Sequence, residues 1–235
     1  MKNIIRILFC SAILVWGSNL KAEVSYGVAL MYGQVDSSGT ETEGTAADTS
    51  VRSKSFEERF LGADLFIDYT YGNGYTVGLS YVPLDIDLGD GKRTDTAAVA
   101  ENDSGTRKAS AEVEDLITLY TNIPVSGDYY ALLGIHHATV STEETLPNSK
   151  YGNEDIFGAQ IGFGMKSGNI KYELAYSDFE DISISSTGGD NNNSVTADAD
   201  AITFLSLIHI SEPTRQAEMS YCVMRWKKKR GGGGG

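Results

Sequence analysis

Large apolar residues recur at every second position through most of this chain, and the residues between them are of a different kind. Val24, Tyr26, Val28, Leu30 and Tyr32 share one parity; Ser25, Gly27, Ala29, Met31 and Gly33 share the other. Leu61, Ala63, Leu65, Ile67, Tyr69 and Tyr71 alternate with Gly62, Asp64, Phe66, Asp68 and Thr70. Phe157, Ala159, Ile161, Phe163 and Met165 alternate with Gly158, Gln160, Gly162, Gly164 and Lys166. Successive side chains of a strand point to opposite faces, so a period of two specifies strands. One face is bulky and aromatic, the other mostly Gly, Ala, Ser and Asp. A face that small and polar suits the crowded interior of a narrow barrel whose outside meets lipid.

Met1 to Ala22 carries Lys2 and Arg6, then the apolar run Ile7 to Gly17, then polar residues ending in Ala22. That is the pattern of a cleavable secretory signal peptide, with cleavage expected after Ala22. Cys10 follows Phe9 where a lipidation site needs a small residue, so the leader is not read as that of a lipoprotein. No later stretch approaches the roughly 18 consecutive apolar residues of a spanning helix, so a membrane crossing is expected to use strands.

The far end reads differently. Leu205 to Arg215 is LSLIHISEPTR, which back-translates with suitable codons to a sequence resembling the transposase adapter of short-read sequencing libraries. Lys227 to Arg230, followed by Gly231 to Gly235, resembles homopolymer read-off past a fragment end. Residues 205–235 are therefore read as a non-native read-through tail rather than a basic arm for nucleic acid. The last strand is expected to be truncated near Phe204, leaving the ring open with unpaired backbone toward lipid. Long-read resequencing of the locus is expected to return different codons after Phe204, continuing the strand for several residues to a stop at or close to a Phe. Recovery of LSLIHISEPTR from native DNA would end this reading.

Between these ends, residues 23–204 hold ten Lys and Arg against thirty Asp and Glu, a net charge of −20, and no cysteine. Nucleic-acid affinity comes largely from neutralising phosphates, so a surface this acidic opposes it. Without cysteine there is no disulfide framework and no thiolate metal site.

Strands are expected at 24–33, 59–71, 75–87, 109–123, 129–140, 156–166, 170–184 and from about 197. Long polar connections (34–58, 88–108, 141–155, 185–196) alternate with short ones at Gly72-Asn73-Gly74, Pro124 to Asp128 and Ser167-Gly168-Asn169. An even strand number with short turns at one end and long loops at the other is the plan of a bacterial outer-membrane barrel. The fold class is thus all-β: an eight-stranded antiparallel up-and-down transmembrane barrel forming one domain over 23–204. Tyrosine placement agrees. Tyr69, Tyr71, Tyr75, Tyr129, Tyr130 and Tyr172 flank the short turns, and Tyr32, Tyr81 and Tyr176 lie toward the opposite strand ends, as two aromatic girdles at the headgroup boundaries require.

With its leader, eight-strand meander, glycine-rich inner face and tyrosine-rich outer face, the chain resembles the small Gram-negative outer-membrane barrels of the OmpX, opacity-protein and OmpA-domain type. Tyr75 to Leu88 (YTVGLSYVPLDIDL) and Ala201 to Phe204 (AITF) are similar to barrels of marine alphaproteobacterial type. The resemblance covers about residues 24–204 and rests on pattern. It implies a cell-outer-membrane location among lipid and lipopolysaccharide, and delivery by the barrel-insertion machinery, which in that family reads a terminal aromatic residue.

Inside, the charged candidates are Asp64 and Asp68, Glu112 and Glu114, Lys166, and Lys171 with Glu173, with Arg59 near the rim. Eight strands leave just enough room for side chains, so these are expected to pair as a buried polar network. A narrow cation-preferring pore is the alternative, and a soluble lipocalin-like binding barrel with its apolar face inward is another. The parity of 109–123 stays open, because Ile117, Leu119 and Thr121 compete with Leu116, Thr118 and Tyr120 for the lipid side, and that of 129–140 stays open as well. Beyond Pro83 the apolar phase changes to Leu84, Ile86 and Leu88, as a bulge would cause.

Chemistry is sparse, and the chain is not read as an enzyme or as a cofactor carrier. His136 and His137 are adjacent and point to opposite faces, so they cannot share one site. His137 with Thr139 on the lipid face is the one catalytic pairing worth naming. Gly188 to Asn193 reads as a flexible polar loop rather than a calcium site, and Asp198 and Asp200 read equally well as inward strand residues. Asp36, Glu41, Glu43, Asp90, Asp95, Glu101, Asp103, Glu143 and Glu144 make the long connections acidic, a surface that would meet anionic polysaccharide through bridging divalent cations.

Overall fold

The computed structural model describes residues 23–45, 48–95, 105–145, 151–185 and 194–210. The expected leader, the chain after Ile210, the Gly188 to Asn193 stretch, Glu101 and Asp103 lie outside the described residues.

Ten strand segments follow one another: β1 (Glu23–Thr45), β2 (Asp48–Thr70), β3 (Thr76–Val82), β4 (Ile86–Asp95), β5 (Gly105–Ser126), β6 (Tyr129–Glu144), β7 (Glu154–Ser167), β8 (Ile170–Phe179), β9 (Ile182–Ser185) and β10 (Ser194–Ile210). Neighbours pair antiparallel in the order β1-β2-β3-β5-β6-β7-β8-β10, and β10 returns to β1. Two staves are broken in the middle. Pro83 has no amide hydrogen to give to a ladder, and the stave it interrupts continues as β4, paired with β5 alone. β9 likewise continues β8 beyond Glu180 and Asp181 and pairs with β10. The ten segments are therefore eight staves in a closed ring.

Closure is the first departure from expectation. β10 does not stop at Phe204: Leu205 to Ile210 pair with Met31 to Tyr26 of β1. The segment has the period of the strand it extends, with Leu205 and Leu207 buried inside and Ile208 exposed outside. Those six residues supply the hydrogen-bond partners that β1 would otherwise lack at its start.

The long connections are the second departure, because most of their length is paired strand. β1 and β2 stay in register from Gly33 opposite Phe60 out to Thr45 opposite Asp48, and β4 with β5 as far as Asp95 opposite Gly105. Cross-strand partners explain why polar sequence can do this. Glu41 lies opposite Arg52, and the hydroxyls of Thr40 and Ser53 are 2.9 Å apart. Asp36, Glu41, Glu43, Asp90, Asp95, Glu143 and Glu144 all belong to these projecting hairpins. At the opposite end the turns are tight, and Gly74, Gly127 and Gly168 occupy positive φ there, which glycine adopts without steric cost.

Parity is decided by two irregularities. In β5 the register shifts between Glu114 and Ile117, and Asp115 has φ 52°. Below the shift Leu116, Thr118, Tyr120 and Asn122 face inward; above it Ala111 and Val113 do. Glu112 and Glu114 consequently lie on the outer face, contrary to their expected place in the lumen, and Glu114 accepts a hydrogen bond from Ser141 on β6. In the broken stave the bulge falls between Asp87 and Gly89. Ile86 and Leu88 are buried and continue the inward series of Thr76, Ser80 and Val82, while Leu84 is exposed. The expected change of phase beyond Pro83 does not occur.

One gap in the wall follows from the break at Pro83. β2 pairs with β3 only from Leu65 to Thr70; above Leu65 its sole ladder partner among the described residues is β1. Phe56 fills part of the gap, packing where a side chain at Gly89 would have to go.

Candidate functional site

The barrel interior carries the polar side chains, arranged in tiers. Toward the short turns Lys171 Nζ lies 2.6 Å from Asp68 Oδ2, and both side chains are almost wholly shielded from solvent. The Tyr120 hydroxyl donates to the other oxygen of Asp68, and the Tyr130 hydroxyl donates to Glu173 Oε1 at 2.6 Å. Lys166 is partly buried in the same region, opposite Lys171 on the neighbouring strand. His209 closes this tier, its Nδ1 3.1 Å from Ser25 Oγ and its ring edge-on to Phe66.

Further along the axis His136 is buried between two hydroxyls, with Nδ1 2.8 Å from Thr118 Oγ1 and Nε2 3.0 Å from Ser177 Oγ. It stacks on Phe179 at 5.3 Å between centroids. Beyond it the interior turns apolar: Met31, Val82, Ile86, Leu88, Val113 and Ile156 interlock with Phe60 and Phe179. Between these tiers the interior keeps a cavity of about 70 Å³, with Asp64, Ser80, His136 and Ser177 among its lining.

Of the residues expected in a lumen network, Asp68, Lys171 and Glu173 come together, Asp64 stands apart beside the cavity, and Lys166 sits at the end. Tyr120, Tyr130 and His136 are members that sequence reasoning missed. Its place beside a turn groups Tyr130 with Tyr129 in the girdle, yet alternation along β6 sends it inward. Arg59 is exposed and 3.6 Å from Glu57 at the rim. Asp198 and Asp200 face outward, accepting hydrogen bonds from Ser38 and Tyr176 at 2.6 and 2.7 Å. His137 faces outward and packs edge-on to Phe157, while the Thr139 hydroxyl donates to Asp155.

The outer face is the inverse of the interior. Leu30, Ile161 and Phe163 are each more than 60% exposed, and Val28, Leu65, Ile67, Leu79, Leu174 and Ile202 continue the band around the ring. Tyrosines bound it on both sides. Tyr69 and Tyr71 meet edge-on, Tyr172 stacks on Phe204, and Tyr75 and Tyr129 stand exposed near the short turns. At the other boundary Tyr32 is exposed, Tyr81 donates to Asp115 at 3.0 Å, and Tyr176 donates to Asp200. An apolar belt of this extent could not stand in water, which removes the soluble lipocalin-like alternative. A closed, even-numbered antiparallel ring with short turns at one end, long hairpins at the other and a belt between tyrosine girdles fits one setting.

The chain is an outer-membrane β-barrel. Among solved structures it is similar to the outer membrane protein OprG of Pseudomonas aeruginosa (13% identity, 78% of this chain and 97% of that one, TM-score 0.47). It is also similar to Ail of Yersinia pestis (11% identity, 74% and 98%, TM-score 0.33) and to the outer membrane protease OmpT of Escherichia coli (10% identity, 82% and 99%, TM-score 0.38). No protein-family model matches the chain, and no curated protein matches it. The geometry of the barrel itself decides its class.

The two faces can be told apart by charge. Arg in place of Leu65, Ile67, Leu79 or Ile161 is expected to destabilise the barrel by about 2 to 4 kcal/mol near the bilayer midplane. Arg at inward Gly33 or Ser80 should instead act through crowding in the lumen. Unfolding titrations in lipid vesicles read the difference, and equal tolerance at both sets would contradict the topology.

Proposed function

We propose that this barrel is a structural and surface-interaction protein of the outer membrane and not a conducting pore. The observation that supports this most directly is the filling of the interior. A shielded Asp68–Lys171 pair with its tyrosine partners occupies one level and the Met31, Ile86, Leu88 and Val113 cluster another. The cavity between them, about 70 Å³, holds a few heavy atoms at most and is too small to be a through-channel. A cation-preferring channel needs a continuous wet path lined by charge, and the apolar level interrupts any such path.

The projecting hairpins carry the interaction role. Their acidic residues repel anionic polysaccharide directly, so contact with lipopolysaccharide goes through divalent cations that bridge the two. Delivery of the chain by the barrel-insertion machinery belongs to the same reading. Planar-bilayer recording of the refolded protein is expected to be silent, and stable unitary conductance would overturn the proposal. Chelation of divalent cations is expected to release lipopolysaccharide that co-purifies with the barrel; retention in excess chelator would remove the bridging role.

A further inference from the structure

We infer that the cavity inside the barrel is a binding site for a short primary alkylammonium ion, held by Asp64. The side chain projects inward from β2 and is only 6% exposed; Ser80 and the Tyr81 backbone donate to the carboxyl group, yet its Oδ1 has no hydrogen-bond partner among the described residues. The neighbouring acids are engaged: Asp68 by Lys171 and Tyr120, and Glu173 by Tyr130. A buried carboxylate oxygen without a donor is costly, so this site is complete only when something donates to it.

The cavity beside Asp64 specifies what that donor carries. Its walls include the apolar side chains of Phe60, Phe66, Val82 and Leu205, with Ser80 and Gln160 as further polar groups. A calcium-like cation takes six or more oxygen ligands, and no group of three His, Cys, Asp or Glu among the described residues could hold a metal. A neutral ligand would offer Asp64 only an ordinary hydrogen bond, whereas an ammonium offers the stronger charge-assisted one. An ammonium head on a short hydrocarbon tail satisfies both halves, donating N–H to Oδ1 and laying its methylenes against the rings. Size sets the tail. An apolar cavity of about 150 Å³ accepts benzene, so about 70 Å³ fits a chain of roughly three or four heavy atoms. Access breaks no ladder hydrogen bond, because Phe60 and Leu88 in the cavity wall stand on the two lips of the gap between β2 and β4.

The full-length chain, refolded in detergent, tests this by titration with n-propylammonium chloride while backbone amide resonances are followed. Saturable shifts are expected at Asp64, Phe66 and Ser80, with none from equal concentrations of 1-propanol or sodium chloride. Asp64→Asn is expected to weaken binding roughly tenfold or more, because the charge-assisted hydrogen bond is lost. Equal shifts from 1-propanol, shifts confined to the exposed acids of the hairpins, or undiminished affinity in Asp64→Asn would each overturn the assignment. If that variant does not refold, the comparison of propylammonium with propanol on the unaltered chain decides the question alone.

Discussion

Lys171→Met is expected to destabilise the barrel by about 3 to 5 kcal/mol, the range for breaking a buried ion pair from one side. The loss comes less from the missing attraction than from what remains. Asp68 keeps its Tyr120 donor but would sit shielded from solvent with only the His209 ring, 3.8 Å away, in place of a fixed positive charge. Pairing the change with Asp68→Asn removes the stranded charge, so the double variant should be more stable than Lys171→Met alone; replacing both partners of a buried pair is often near neutral. Urea unfolding in detergent micelles, read as the shift between folded and unfolded bands on unboiled gels, measures both. A single-variant loss below about 1 kcal/mol would mean that water reaches the pair. That outcome would also weaken the case for a non-conducting interior, since both rest on the same packing.

Gly162→Val is expected to cost about 3 kcal/mol or more, at or beyond the upper end for overpacking, because its clash cannot be relieved by a side chain. A β-carbon at Gly162 would press on the Leu174 carbonyl oxygen and lie 2.9 Å from Ala175 Cα and 3.0 Å from Ala175 Cβ. These atoms belong to β8, so relief requires the β7–β8 ladder to part. Gly62 provides the contrast. It also faces inward, but there the nearest atom to an added β-carbon is Met31 Cε at 3.2 Å, the free end of a flexible side chain. Gly62→Ala should therefore cost less than about 1 kcal/mol. The two variants are compared by their urea midpoints in the same detergent, and similar losses would show that inner-face glycines are not required for close strand approach.

The catalytic pairing of His137 with Thr139 illustrates how far one dimension reaches. Alternation correctly separated His136 from His137, since that follows from the geometry of any strand. It supported His137 on the lipid face only weakly, because β6 offers little contrast between its faces. The structure sends His136 inside to Thr118 and Ser177, and leaves His137 against Phe157. Tyr130 was misplaced for a related reason: a tyrosine beside a turn looks the same whether it anchors in the interface or donates to a buried acid.

What the sequence determined by itself was the all-β class, the count of eight staves, the tight turns, and the lipid and lumen faces of β1, β2, β7 and β8. Those properties are local: an apolar-polar period of two and short glycine-bearing turns are set by residues and their immediate neighbours. The tertiary structure alone decided where Ile86, Leu88, Glu112 and Glu114 point, how far the hairpins run, and that Leu205 to Ile210 close the ring. Past a bulge, parity depends on the register with the adjacent strand, and a polar segment becomes strand only when a partner takes up its backbone hydrogen bonds. The interior was decided the same way. Asp68 and Lys171 are 103 residues apart in the chain, and only closure of the ring brings them within reach of one another.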